Sequence, residues 1–149
     1  MKRLEVSDIR EIKLFKYYRL VRKWACRKYG LNDADLELLI YLDCIGTFDK
    51  TDFETGVWSY AWDARRWSRL LRDDWVRVWR TWNKREGRAN NLYVTSRKTK
   101  LMINRMYNIM LGNEDIPIGK SNDFYTKQKT YSEKAYARLI DEMRKDPDR

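Results

Sequence analysis

Residues 63–105 read DARRWSRLLRDDWVRVWRTWNKREGRANNLYVTSRKTKLMINR, and this stretch decides the fold. It holds 13 Lys and Arg against 4 Asp and Glu, a net of +9; the remaining residues hold 19 against 18, a net of +1. Charge gathered on under a third of a chain points to a polyanionic partner, nucleic acid above all. Asp63 suits the N-cap of a helix over residues 64–73. At about 100° per residue, Trp67, Leu70 and Leu71 share one face. Arg65, Arg69 and Arg72 share the opposite face, with Arg66 at its edge. Such a helix can pack by its apolar back and lay its arginines in a major groove. A solvated surface helix is the plainer alternative.

Beyond that helix, Trp75 to Asn83 has the aromatic and β-branched content of a strand. Residues 84–91 (KREGRANN) supply the Gly and Asn of a turn with a basic tip, and Leu92 to Thr95 forms the returning strand. Thr95 or Ser96 can cap a helix running to about Leu111, with Leu101, Met102, Met106, Ile109 and Met110 at core spacing. Helix, hairpin and helix follow in the order of a winged helix-turn-helix. The expected class is mainly α with a small β-hairpin wing, flanked by N- and C-terminal helices.

Working outward, a first helix is expected from Ser7 or Asp8 to about Tyr29, with an apolar stripe wide enough to serve its own core and a partner chain. Gly30 stops it. Asn32 or Asp33 caps a second helix with Leu36, Leu39, Ile40, Leu42 and Ile45 inward, ended by Gly46. Thr47 to Asp49 is connecting material that can pair with the hairpin. Thr51 or Asp52 then caps a short third helix over residues 53–60. Two short helices joined by a tight link have helix-turn-helix spacing. Residues 112–130 are expected as an irregular loop. Ser132 opens a last helix with Ala135, Tyr136, Leu139, Ile140 and Met143 along its stripe, ended by Pro147. The 149 residues fit one domain: a core at 31–111, a connecting loop at 112–130, and flanking helices at 1–30 and 131–147.

Composition excludes several chemistries. The chain has no histidine, which removes His-based general bases, Ser–His and Cys–His nucleophiles, and most zinc sites. No Gly-rich phosphate loop is present. The acids at Asp33, Asp35 and Glu37 read as the first turn of a helix, where its dipole favours them. Cys26 and Cys44 read as two reduced core thiols. The expectation is therefore no enzyme, no catalytic residue, no metal and no cofactor. No apolar run reaches membrane-spanning length, and MKRLEVSDIREIK is not a signal peptide, so a cytoplasmic protein without a membrane partner is expected.

The order of elements resembles the MarR family of bacterial transcription regulators. YGLNDADLELLIYL resembles the segment opening that family's second helix, and WDARRWSRLLRDDWVR resembles its recognition helix and strand entry. EGRANNLYVTSRK resembles its wing, with Glu86, Arg88, Val94 and Thr95 in register. The resemblance spans residues 1–111 by element order and is sharp over 63–98. Asp74 and Lys98 stand where the family usually has glycine, and Glu86 where it usually has Asp. The resemblance implies a homodimer whose first and last helices interlock and whose recognition helices enter successive major grooves. It assigns double-stranded DNA contact to Arg65, Arg66, Arg69 and Arg72 on the helix, and to Arg88 on the wing with Lys84 and Arg85. A second reading is an assembly protein, such as a bacteriophage virion component, that reuses the winged helix for protein contacts. Six tryptophans within residues 58–82 motivate it. A third is binding of single strands or RNA by aromatic stacking.

Overall fold

Two left-handed glycines, Gly30 (φ 70°) and Gly46 (φ 90°), bracket a helix over Asp33–Ile45. Both occupy backbone that side chains rarely adopt, which is why glycine stands there. The structure is a computed structural model, and it describes residues 3–13, 15–54, 65–81, 91–120 and 122–147. Over those residues the chain is mainly helical, with helices α1 (Val6–Ile12), α2 (Tyr18–Tyr29), α3 (Asp33–Ile45), α4 (Arg66–Arg72), α5 (Arg97–Met110), α6 (Asp123–Thr126) and α7 (Tyr131–Lys145). Strands β1 (Val76–Arg80) and β2 (Leu92–Thr95) form a two-stranded antiparallel sheet. The chain divides into two compact units, residues 31–105 and residues 1–30 with 106–149.

In the unit of residues 31–105, the Asn32 side chain caps α3 by accepting the Asp35 N–H at 2.7 Å, as expected. Leu36, Leu39 and Leu42 are buried, and Leu38 joins them; Ile45 is exposed instead. Phe48 exchanges both backbone hydrogen bonds with Tyr93 at 2.8 and 3.0 Å, so the connecting segment does pair with the hairpin. Residues 50–54 are helical. They begin at a reciprocal cap: the Asp49 and Asp52 side chains each accept the other's backbone N–H. The helix thus starts ahead of Thr51 and Asp52. The rest of the expected third helix, the Asp63 cap, Trp58, Trp62 and Trp82 lie outside the described residues.

β2 matches its expected span, and in register Val76 faces Thr95, Val78 faces Tyr93 and Arg80 faces Leu92. The Trp67 ring stands edge-on to Phe53 (4.5 Å) and to Tyr93 (4.7 Å), joining helix, link and sheet. Along α5 the buried residues are Met102, Ile103, Met106 and Ile109, whereas Leu101 is 59% exposed. The expected stripe was therefore rotated: a three-residue step from Ile103 to Met106 and on to Ile109 puts Ile103, not Leu101, on the inward row.

In the unit of residues 1–30 and 106–149, the expected single first helix is two. Lys13 adopts the left-handed conformation (φ 49°) and ends α1, and α2 starts afresh at Tyr18. The break divides the wide apolar stripe between two segments. The break buries Tyr17, Leu20, Val21, Trp24 and Ala25 and leaves Leu4, Val6, Ile9 and Phe15 in solvent. The expected loop 112–130 is also partly ordered, since Ile116 and Asn122 are buried and α6 lies within it. Cys26 is buried but Cys44 is exposed, so only one thiol belongs to a core.

Ion pairs tie α2 to both ends of α7. The Tyr17 hydroxyl and the Lys16 ammonium both reach Asp146, each at 2.5 Å, and Arg27 donates to Glu133 at 2.8 Å. Burial, then the bond to Asp146, raises the Tyr17 pKa. Hydrogen bonds from Arg27, then from the Lys129 backbone, hold the Glu133 carboxyl below its ordinary value. That contribution is present above the ordinary carboxylate pKa and is lost as pH falls through the depressed one.

Thr130, one residue or two before the expected start, completes a capping box with Glu133 at the head of α7. Thr130→Ala leaves the Glu133 N–H without its capping oxygen and is expected to cost about 1 kcal/mol. Chemical denaturation monitored by circular dichroism measures this, and Thr130→Ser should retain most of the stability.

Candidate nucleic-acid interface

Local order around α4 comes from the turn that ends it. The Trp75 N–H donates to the Leu70 carbonyl at 3.0 Å, closing α4 onto β1. Asp74 sits in the left-handed region at φ 59°. That conformation favours glycine but is reached by Asp more often than by bulky residues. On the far side of the turn, the Thr99 hydroxyl and the Ser96 N–H both donate to the Trp75 carbonyl, at 2.6 and 3.0 Å. The Thr99 N–H donates to the Ser96 hydroxyl, which caps α5 as expected. The start of α5 is thereby held against the α4–β1 turn.

The α4 arginines divide between two environments. Arg66 is 3% exposed, and its Nε lies 2.5 Å from the carboxylate of Asp35, itself 2% exposed. Arg69 reaches the same carboxylate, its Nη2 donating to Oδ2 at 2.8 Å and Oδ1 at 3.1 Å. One buried carboxylate on the first turn of α3 thus gathers two of the three arginines of α4. This corrects the expected helical face. The inward row is Arg66 and Leu70, with Arg69 at its border, while the outward residues are Arg65, Ser68 and Arg72. A buried acid beats the apolar periodicity, because a guanidinium can be buried when its charge is answered. Arg66 is therefore placed as a structural residue, not a groove-facing one.

The acids ahead of residue 63 account for this. Residues 31–62 hold seven acids and one Lys, a net of −6, so with the +9 of residues 63–105 the unit carries +3. Asp43 likewise accepts from Lys100 and from the Thr95 hydroxyl, both at 2.9 Å. What remains in solvent is a set of cations around the α4–β1 turn. Arg72 donates to Asp73 at 3.1 Å, Arg77 pairs with Asp74 at 3.3 Å, and Lys98 donates to the Asp73 carbonyl at 2.6 Å. The Lys98 ammonium also lies 3.8 Å from the Trp75 ring centroid. Arg80 covers the Trp79 ring at 4.3 Å, and that tryptophan is 48% exposed. Arg65 and Arg97 are exposed as well. The hydrogen bond from Arg72, then the charges of Arg72, Lys98 and Arg69, lower the pKa of Asp73.

Arg77, Arg80, Arg97 and Lys98 lie outside the contacts expected from the sequence, although their clustering is visible as a charge pattern around residues 72–98. The wing residues Lys84, Arg85 and Arg88 lie outside the described residues. Among the described residues there is no cluster of acids and cysteines able to hold a metal ion, and no helix is long and apolar enough to cross a membrane. Comparison with protein-family models, curated proteins and solved structures finds no match.

Proposed function

We propose that this protein is a non-enzymatic, cytoplasmic double-stranded DNA-binding protein of the winged-helix type, acting as a homodimeric transcription regulator. The observation that carries the reading is the group of solvent-facing cations Arg72, Arg77, Arg97 and Lys98 beside one tight turn, with Arg65 at the head of α4 and Arg80 at the end of β1; Asp73 and Asp74 are the exposed acids among the described residues 65–81 and 91–100. A fixed turn between helix and hairpin presents such cations at a set spacing, which suits rows of phosphates. The bridge of Phe48 to Tyr93 and the left-handed Asp74, at the position where the MarR resemblance calls for glycine, support the winged-helix part. In this reading Arg65 and Arg72 lie toward the groove, Arg97 and Lys98 bind backbone, and the wing adds Lys84, Arg85 and Arg88. Arg66 and Arg69 hold the helix in place. The exposed apolar side chains of the α1 region supply the dimer contact.

Titration into a labelled duplex at 50 mM salt tests this, with the matching single strand as comparison. Saturable duplex binding stronger than single-strand binding is expected; no duplex binding overturns the proposal. Asp73 adds a second readout. Its carboxylate repels phosphate and engages Arg72, so Asp73→Asn should tighten binding to every duplex by roughly fivefold, the equivalent of about 1 kcal/mol for one charge at contact distance in water. Equal or weaker binding would remove the turn from the interface.

An assembly role is the second reading, favoured by Leu4, Val6, Ile9 and Phe15, which are 49–77% exposed. Co-purification with a stoichiometric protein partner, together with indifference to DNA, would select it.

A further inference from the structure

The strongest local excess of charge after residues 63–105 is at the other end of the chain. Residues 1–30 hold ten basic and three acidic side chains, a net of +7. Helix α2 alone carries Arg19, Arg22, Lys23, Arg27 and Lys28 with no acid. Its acidic counterparts come from α7 and its C-cap, and they are used at the two ends: Asp146 on Lys16 and Glu133 on Arg27. Two other cations are set against rings, Arg22 over Tyr18 at 5.7 Å and Lys28 over Trp24 at 5.5 Å. Between the ion-paired ends stand Arg19 and Lys23, both exposed and both without an acidic partner among the described residues. Four residues apart, they lie on one side of the helix with Arg27 and are separated by about 6 Å along its axis.

We propose that this face of α2 is a second phosphate-binding surface, taking the sugar-phosphate backbone of nucleic acid. The proposal rests on the nucleic-acid reading above and adds a sequence-independent contact to it. Charge complementarity selects the occupant. A second copy of α2 would set five cations against five, so the surface opposes self-association through this helix, in contrast to the interlocked first helix that the MarR resemblance implies. A protein core is equally disfavoured, because Arg19 and Lys23 would be desolvated with no acid to answer them. The spacing of about 6 Å exceeds the axial rise of about 3.4 Å per phosphate of one strand, so the two cations can meet separate phosphates.

The test uses the full chain with the double variants Arg19→Glu/Lys23→Glu and Arg19→Gln/Lys23→Gln, compared with Arg72→Glu on the other unit. Both α2 positions face solvent, so the unfolding midpoint should hold, and the Gln pair keeps the question open should the Glu pair unfold. The Glu pair is expected to weaken binding to specific and random duplexes alike by about tenfold or more, and the Gln pair to reduce the slope of log K against log salt by about 1.8. Arg19→Lys with Lys23→Arg should restore both. Unchanged affinity and slope, with Arg72→Glu weakened, would overturn the α2 surface and leave the nucleic-acid reading standing. A wild-type chain that binds neither duplex nor single strand fails that reading itself. Adsorption of the wild type to phosphatidylserine vesicles, lost in the variants while nucleic-acid binding persists, would also overturn the proposal by assigning the surface to lipid.

Discussion

Asp35→Ala should destabilise the unit of residues 31–105 by about 3–5 kcal/mol. The size follows from what is left behind. With the carboxylate gone, the Arg66 side chain, 4% exposed, keeps its charge in a place without water. Arg69 loses both of its bonds to the same carboxylate. Against a total stability of about 5–15 kcal/mol for an ordinary domain, such a loss takes the protein close to unfolding at ambient temperature. Urea denaturation of the wild type and variant, followed by the fluorescence of the tryptophans, measures it.

Replacing both partners separates the charge from the packing. Asp35→Leu combined with Arg66→Met removes the buried ions together, and should recover most of the loss, because a buried pair exchanged for apolar side chains of similar volume is often neutral or better. Double-mutant analysis then gives the coupling directly. A loss below about 1 kcal/mol for Asp35→Ala would mean that Arg66 finds other compensation and that α4 is not fixed by this carboxylate. For function, the consequence is that Arg66→Ala should act on stability first, while Arg72→Ala should act on binding with stability nearly unchanged.

The Asp35 pair also marks where the sequence was legible and where it was not. Caps and turns could be read because their chemistry is local: Asn32, Gly30, Gly46 and Ser96 each satisfy or end a backbone hydrogen-bond pattern within four residues. The returning strand Leu92–Thr95 could be read because its composition and turn agree. The face of α4 could not, because the partner of Arg66 lies 31 positions earlier and periodicity weighs side chains by hydrophobicity, not by distant charge. Asp35 itself was read as a residue favoured by the helix dipole, and its backbone does take part in the cap. Its side chain, however, turns inward. The break at Lys13 was hidden for a different reason. Every residue type around it is compatible with helix, so no local signal marks the left-handed turn. The outward position of Arg65 and Arg72 was legible from helical spacing, whereas Lys98 is held by the aromatic ring and carbonyl it meets across the turn.

The largest expected effect concerns binding. If a dimer sets about 6–10 cations against phosphates, duplex affinity should fall by roughly 10³–10⁵-fold between 50 and 200 mM salt. A monomer using four or five contacts should lose only a few hundredfold over the same range, so the slope also reports the stoichiometry. Anisotropy titrations at four salt concentrations, paired with the solution mass of the complex, distinguish the two. The internal ion pairs set the lower bound: were Arg66 and Arg69 released from Asp35 to reach DNA, the slope would steepen and the unit would loosen together. Because Arg66 stays buried within the unit, Asp35→Ala should change stability far more than it changes the salt slope. A near-flat dependence would mean that cations such as Arg72 and Arg97 meet no phosphate. The exposed turn would then belong to a protein contact, where uncharged and aromatic groups such as Trp79 dominate the energy.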